Sequence, residues 1–136
     1  MINAYLENMV LTANPVRQVI LLYEKAISCL DEAVELMERA SAEPEDMKRK
    51  YEAMGRATEI LTVLDATLNM EQGGDIAKSL HEVYQALIND LIRIVVEGDE
   101  PQTLRKMLKI LADLKESWEE VEKRIYGRPE ATASAV

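Results

Sequence analysis

Two side chains in this sequence are of types that often carry out chemistry, a single histidine, His81, and a single cysteine, Cys29. In helical bundles that hold two metal ions, each ligating histidine has a glutamate three residues before it. Lys78 occupies that position here. The sequence therefore predicts no metal centre at His81, and no other pattern in it indicates a cofactor.

A histidine on a helix can also accept a phosphoryl group when small or cationic neighbours receive the anion. Glu82 follows His81, and no glycine or lysine lies one turn further on. The pair Gly73-Gly74 lacks the flanking glycine and the Lys-Ser/Thr pair of a phosphate-binding loop. We interpret His81 as a structural residue and predict that the protein is not an enzyme. A phosphotransfer domain or bundle enzyme centred on His81 is kept as an alternative hypothesis.

Cys29 lies between Ile27 and Leu30 in a segment whose apolar residues recur with helical spacing. This position favours a small apolar side chain that is buried. A catalytic thiol needs a nearby base and an electropositive setting. The neighbours Asp31 and Glu32 supply neither. With one cysteine, the chain cannot form an internal disulfide.

The composition predicts an all-α protein with one domain. The 136 residues include five glycines, four prolines and no phenylalanine, and helix-forming residues dominate. The net charge of −9 argues against nucleic acid and against an anionic membrane surface as partners. The longest apolar run, Val19 to Tyr23, is far short of a membrane span, and the start of the chain lacks a basic signal region. We therefore expect a cytoplasmic protein with no membrane insertion.

Apolar periodicity and helix-terminus signals divide the chain into four helices. Asn14-Pro15 is typical of a helix start, and Gly73-Gly74 is interpreted as the end of the second helix. The expected helices span residues 15–40, 44–70, 75–97 and 100–126. Because connections of about four residues force neighbouring helices to run antiparallel, we predict an up-down four-helix bundle. The expected organisation is an amphipathic arm at 1–13, the bundle at 14–127 and a disordered tail at 128–136.

The third predicted helix has more apolar residues than one packing face requires. Between Ile76 and Val96, 13 of 21 positions are apolar. A helix that packs by one face needs about 9 in that length. The surplus must be covered by a second layer of the fold or by another protein, and contiguous exposed apolar patches mark partner sites.

Two sets of residues are candidates for this interaction surface. The first set is predicted to form a groove that binds amphipathic helices: Tyr23, Ile60, Val63, Tyr84, Ile88, Ile92, Val95, Ile110 and Leu114. The second set lies in the N-terminal arm and is too apolar to stay exposed: Ile2, Tyr5, Leu6, Met9 and Val10. An isolated helix this short is marginal in water. We therefore expect the arm to pack on the spare apolar surface when no partner is bound.

The order and spacing of several motifs resemble the flagellar secretion chaperone FliS family, from about residue 4 to residue 122. The matching pieces are Tyr5-x-x-Asn8, Val10-x-Thr12-Ala13-x-Pro15, Leu22-Tyr23-Glu24-x-Ala26-Ile27, Ala57-Thr58-Glu59-Ile60-Leu61, Gly73-Gly74-Asp75-Ile76-Ala77 and Leu111-x-x-Leu114 with Trp118. The chain departs from the family pattern at Asn14, where serine is usual, and at Glu24, where aspartate is usual. Both departures are mild and concern fine specificity.

The resemblance implies a four-helix bundle that binds the C-terminal segment of flagellin as helices wrapped around it. Binding would prevent polymerisation of flagellin before export, and the N-terminal arm could cover part of the binding surface. Components of the flagellar export apparatus are a second expected class of partner, and the free protein is expected to be a monomer or weak dimer. A helical scaffold or adaptor for a different amphipathic helix remains an alternative, which the residues alone do not separate from the first.

Overall fold

A computed structural model describes residues 14–127, which form four α-helices joined by connections of three or four residues. The helices are α1 (Pro15–Arg39), α2 (Pro44–Ala66), α3 (Met70–Glu97) and α4 (Pro101–Tyr126). The predicted all-α, antiparallel up-down four-helix bundle is therefore confirmed. The expected arm and tail lie outside the described residues.

Helix boundaries follow the local signals that the sequence carries. Asn14 caps α1, because its side-chain oxygen accepts a hydrogen bond of 2.7 Å from the backbone N–H of Arg17. Proline opens three of the four helices, where its missing N–H costs no intrahelical hydrogen bond. Gly98 ends α3 with φ of 127°, a conformation that residues with a Cβ rarely adopt.

The prediction that Gly73-Gly74 ends the second helix is wrong. Helix α2 already ends at Ala66, and Asn69 caps a new helix by accepting a hydrogen bond of 2.9 Å from the backbone N–H of Gln72. The glycines therefore lie inside α3, where Gly74 bends the helix with φ of 55° and ψ of −132°. The Asn69 cap overrides the glycine signal because it starts the new helix four residues before Gly73.

The four helices are not packed evenly. Close backbone approaches join α1 to α2, α1 to α4, and α2 to α3, whereas the described parts of α3 and α4 have no comparable approach. Helix α1 therefore lies at the centre of the packing. Helix α4 is held mainly by α1, and helix α3 mainly by α2.

The core is a continuous apolar cluster to which all four helices contribute. Its fully buried large side chains include Leu30, Leu61, Leu91, Leu104 and Leu111. Burying a side chain of this size stabilises a fold by about 1.5–3 kcal/mol, so this cluster is the main source of stability. Cys29 belongs to it, as its sequence context predicted. Within residues 14–127, no helix is long and apolar enough to cross a membrane.

We predict that Leu61→Ala lowers the free energy of unfolding by about 2–5 kcal/mol, because it leaves a cavity in this cluster. Val96→Ala is the matched control, since Val96 is 79% exposed and its truncation should change that free energy by less than about 0.5 kcal/mol. Chemical denaturation of both variants, followed by circular dichroism, measures the difference. Equal effects of the two substitutions would contradict the assignment of Leu61 to the core.

Candidate partner-binding site

An apolar pocket of about 580 Å³ lies at one end of the bundle. Its walls come from the N-terminal parts of α1 and α3, from the C-terminal part of α2, and from Trp118 on α4. Its apolar lining includes Val19, Leu22, Val63, Leu68, Ile76 and Leu80. A cavity of this size with mostly apolar walls suits large apolar side chains of a partner.

The double glycine shapes one wall of this pocket. Gly73 lines the pocket together with Ala77, and a Cβ added to Gly73 would lie 2.6 Å from the Cβ of Ala77. Gly74 permits the bend that follows. The bend separates the first turn of α3 from the rest of the helix, and Ile76, beside the bend, remains 75% exposed.

Trp118, Tyr23 and Tyr84 form a hydrogen-bonded group beneath the pocket, and Trp118 and Tyr84 also line it. The two tyrosine hydroxyls share a hydrogen bond of 2.5 Å, and the indole Nε1–H of Trp118 donates to the Tyr23 hydroxyl over 3.3 Å. Burial raises the pKa of the Tyr23 phenol, although its two hydrogen bonds act in the opposite direction. Both phenols therefore stay neutral at physiological pH and join α1, α3 and α4 through neutral hydrogen bonds.

A buried ion pair lies beside the pocket. The carboxylate of Glu122, 1% exposed, accepts hydrogen bonds from Nε and Nη2 of Arg17 at 2.9 and 2.5 Å and from Nδ2 of Asn14 at 3.2 Å. The hydrogen bonds from Arg17 lower the pKa of the Glu122 carboxyl, against the opposing effect of burial. The pair therefore contributes stability above the usual carboxyl pKa of about 4.3, which is lost as pH falls through the lower folded-state pKa.

Sequence reasoning missed this ion pair, although a signal for it exists. Glu122 lies four residues after Trp118, so it continues the inward-facing row of α4 that begins with Leu104 and Leu111. A charged residue in such a row indicates a buried partner. The identity of that partner, Arg17, depends on tertiary packing and is not visible locally.

The predicted groove residues divide into buried and exposed groups. Tyr23, Tyr84, Ile60 and Ile88 are buried in the core cluster. The exposed group has side chains between 41% and 53% exposed: Val63, Ile92, Val95 and Ile110. Leu114 is partly buried against the core. The exposed residues are thus available to a partner in the free chain, whereas Tyr23 has no exposed surface.

The exposed groove residues are also spread along the bundle. Val63 lines the pocket, whereas Ile92 and Val95 lie towards the C-terminal end of α3. The 18 residues from Ala77 to Val95 correspond to about 27 Å along a helix. The structure therefore places Val63 in the pocket and places Ile92 and Val95, with the neighbouring Val96, in a second apolar area that we call the α3 stripe (Ile92, Val95 and Val96). Ile110 lies on α4, outside both areas.

His81 makes a structural contact between two helices. Its Nδ1 lies 2.7 Å from Oδ1 of Asp65 on α2, and Nε2 of Gln85 donates to Oδ2 of the same carboxylate over 2.9 Å. Among residues 14–127, no cluster of three histidine, cysteine or carboxylate side chains could hold a metal ion. His81 and Gln85, one turn apart on α3, thus hold α3 against α2 through one carboxylate.

These features define a class of protein: an acidic helical bundle with uncovered apolar surface. Such a bundle is suited to binding other helices. The family model for the flagellar protein FliS matches residues 1–125. The chain is 30% identical over 116 residues to the flagellar secretion chaperone FliS of Salmonella typhimurium, covering 85% of this chain and 82% of that protein. It therefore belongs to the FliS family of flagellar secretion chaperones.

Two further relatives carry related names. Flagellar secretion chaperone FliS of Vibrio cholerae is 31% identical over 83 residues, which are 61% of this chain and 60% of that protein. Flagellar secretion chaperone FliSB of Pseudomonas aeruginosa is 29% identical over 114 residues, which are 84% of this chain and 86% of that protein. The resemblance noted from the motifs is thus confirmed at the level of the family.

We predict that Tyr23→Phe lowers the free energy of unfolding by about 1–3 kcal/mol, because it leaves the Trp118 N–H and the Tyr84 hydroxyl without their buried partner. Tyr51→Phe is the control, since Tyr51 is 42% exposed and should change that free energy by less than about 0.5 kcal/mol. Denaturation followed by the fluorescence of Trp118 measures both. A Tyr23→Phe variant as stable as the Tyr51→Phe variant would contradict the assigned role.

Proposed function

We propose that this protein is a cytoplasmic chaperone that binds the C-terminal helical segment of flagellin and prevents its polymerisation before export. The observation that carries the proposal is the apolar surface that the bundle leaves uncovered, comprising the pocket and the α3 stripe. Membership in the FliS family supports flagellin as the partner. No catalytic step is needed, because covering the segment is sufficient to block its self-association.

The chemistry of the uncovered surface favours an amphipathic helix as the bound form. The side chains of the α3 stripe are 44–79% exposed and recur at i, i+3 and i+4, a spacing that presents one continuous apolar strip. A partner helix would lay its own apolar face along this strip. If the segment folds only on binding, it must bury a large area to offset its ordering entropy, which is consistent with contacts at both ends of α3.

The predicted groove residues then take two different roles in this proposal. Val63, Ile92, Val95 and Ile110 contact the partner directly. The buried residues Tyr23, Tyr84, Ile60 and Ile88 support those contacts from within the core, together with the partly buried Leu114. The surface is therefore preorganised, which reduces the entropy lost on binding.

We propose in addition that the N-terminal arm covers the pocket in the free protein. The arm joins the described structure at Asn14, next to Pro15, which lines the pocket. Thirteen residues can extend about 45 Å, a distance comparable with the length of α3. Burying each large apolar side chain gains about 1.5–3 kcal/mol, but ordering each residue costs about 1–2 kcal/mol. Docking is therefore weak, and a longer partner helix can displace the arm.

The export apparatus is a second proposed class of partner, which would receive the chaperone with its bound segment. The alternative of a general helical adaptor rests on the same apolar surface and has no separate observation in its favour. Membership in the FliS family supports the flagellar role over this alternative.

We predict that Ile92→Asp and Val63→Asp each weaken binding of the flagellin C-terminal segment by about tenfold or more, equal to at least about 1.4 kcal/mol, because each places a charge in the apolar interface. Both positions are about half exposed, so the bundle should stay helical. Isothermal titration calorimetry measures the affinity, and circular dichroism checks the fold.

Ile125→Asp is the matched control for this pair, because Ile125 is 61% exposed and lies outside the predicted groove. Its affinity should remain within about twofold of the unmodified chain, less than about 0.5 kcal/mol. Ile88→Asp should instead unfold the protein, since Ile88 is only 9% exposed. Unchanged affinity in both groove variants would refute this surface as the binding site.

We predict that deleting residues 2–12 tightens flagellin binding or leaves it unchanged, because a competing segment is removed. The deletion should also increase self-association of the free protein, since the pocket then stays open to a second copy. Calorimetry and sedimentation velocity measure the two effects. Loss of binding in a folded deletion variant would show instead that the arm contacts flagellin directly.

A further inference from the structure

Glu122 is the one charged residue that is buried within residues 14–127. Removing a carboxylate from water is costly, and a buried ion pair often stabilises a protein no more than apolar residues of the same size would. Stability alone is therefore a weak reason for a glutamate at this position. Because its hydrogen bonds are directional, such a pair can instead select one arrangement among several of similar stability.

The arrangement that Glu122 can select is the position of α4 along α1. Helix α4 is held mainly by α1 and has no comparable approach to the described part of α3. Its buried apolar residues, Leu104, Met107 and Leu111, lie in the half of the helix away from the pocket. Beyond Leu111, the buried residue of α4 is Glu122, while Trp118 is partly buried. The half of α4 next to the pocket is therefore anchored on a charged side chain.

The contacts of Glu122 fix both distance and orientation. Both of its carboxylate oxygens are bonded by the Arg17 side chain, and Oε2 also accepts from Asn14. Two parallel bonds from one guanidinium restrict geometry more than an apolar contact does, because apolar contacts have no preferred direction. Arg17 and Asn14 belong to the start of α1, so these bonds fix the second half of α4 relative to that start.

The position of α4 determines where Trp118 stands in the pocket. Trp118 lines the pocket and lies one turn before Glu122, on the same inward row. Its indole N–H donates to the Tyr23 hydroxyl over 3.3 Å, already a long hydrogen bond. One helical turn rises about 5.4 Å, so a displacement of α4 by a fraction of a turn would break this bond and change the depth of the pocket.

We propose that Glu122 is a positioning residue for the partner-binding pocket, which holds Trp118 at one place in the pocket wall through Arg17 and Asn14. The proposal rests on the proposed function, since it assigns the pocket to large apolar side chains of the flagellin segment. Replacing the ion pair with apolar residues should therefore preserve the bundle and impair the pocket. A merely structural residue would change stability and affinity together.

The test variant replaces the ion pair with apolar residues, Arg17→Met together with Glu122→Leu. The matched control, Glu38→Leu together with Arg105→Met, removes an ion pair between the same two helices. Glu38 and Arg105 are 47% and 41% exposed, so little should depend on their pairing. Glu122→Gln is the conservative variant, because its amide oxygen can still accept a hydrogen bond from Arg17.

The first measurement needs no partner. Trp118 is the single tryptophan, so its indole N–H gives one resonance in a heteronuclear NMR spectrum. We expect one sharp resonance in the unmodified chain, in the control and in Glu122→Gln. The apolar variant should give a broadened or divided resonance, while its denaturation midpoint equals or exceeds that of the unmodified chain.

The second measurement is calorimetry with the flagellin C-terminal segment. The apolar variant should bind about fivefold more weakly or worse, whereas the control and Glu122→Gln should stay within about twofold of the unmodified chain. Adding Val63→Ala, in the pocket, should weaken the apolar variant less than it weakens the unmodified chain, because both changes act on one site. The effect of Ile92→Ala, in the α3 stripe, should be the same in both chains to within about twofold.

A single sharp resonance for Trp118 in the apolar variant, at the position it has in the unmodified chain, would overturn the proposal. Unchanged affinity beside a changed resonance would also overturn it, as would a fall in stability that matches the fall in affinity. An apolar variant that does not fold would show that the pair serves stability and would likewise overturn it. If even the unmodified chain does not bind the flagellin segment, the proposed function fails, and the resonance still decides whether Glu122 positions Trp118.

Discussion

The hydroxyl group of Tyr23 constrains how three of the four helices pack. It is fully buried, so it must be hydrogen-bonded, and its partners come from Tyr84 on α3 and Trp118 on α4. Helices α3 and α4 are therefore positioned relative to each other through α1, although their own backbones do not approach closely. A shift of either helix would leave a buried polar group unpaired, which fixes the end of the bundle where the pocket lies.

The uneven packing accounts for the location of the free apolar surface. Helix α3 packs on α2 and contributes Tyr84, Leu87, Ile88, Leu91 and Ile94 to the core. Its remaining apolar face has no helix to cover it, so Ile92, Val95 and Val96 stay exposed. A closed bundle would have buried that surface and gained stability. This protein instead leaves Ile92 and Val96 in contact with solvent, a cost that the proposed partner would offset by covering them.

The sequence was sufficient to predict the features that depend on local patterns. Asn14-Pro15 predicted the start of α1, and the apolar surplus of α3 indicated that part of it would stay uncovered. Features that depend on distant pairings were not predictable. The partner of Glu122 lies 105 residues away in the sequence, and that of His81 lies on another helix. The role of Gly73 also required knowing that Asn69 starts a helix before it.

The hydrogen bonds of Tyr23 and Glu122 lie at one end of an otherwise apolar core, the end where the pocket forms. An apolar end could pack in several registers, because apolar contacts are not directional. The hydroxyl of Tyr23 and the carboxylate of Glu122 each permit one arrangement, and both join α1 to α4 within one turn of Trp118. The rigid side of the pocket is thus built from directional bonds. Its other side is formed by the first turn of α3, which the Asn69 cap starts and the bend at Gly74 separates from the rest of the helix.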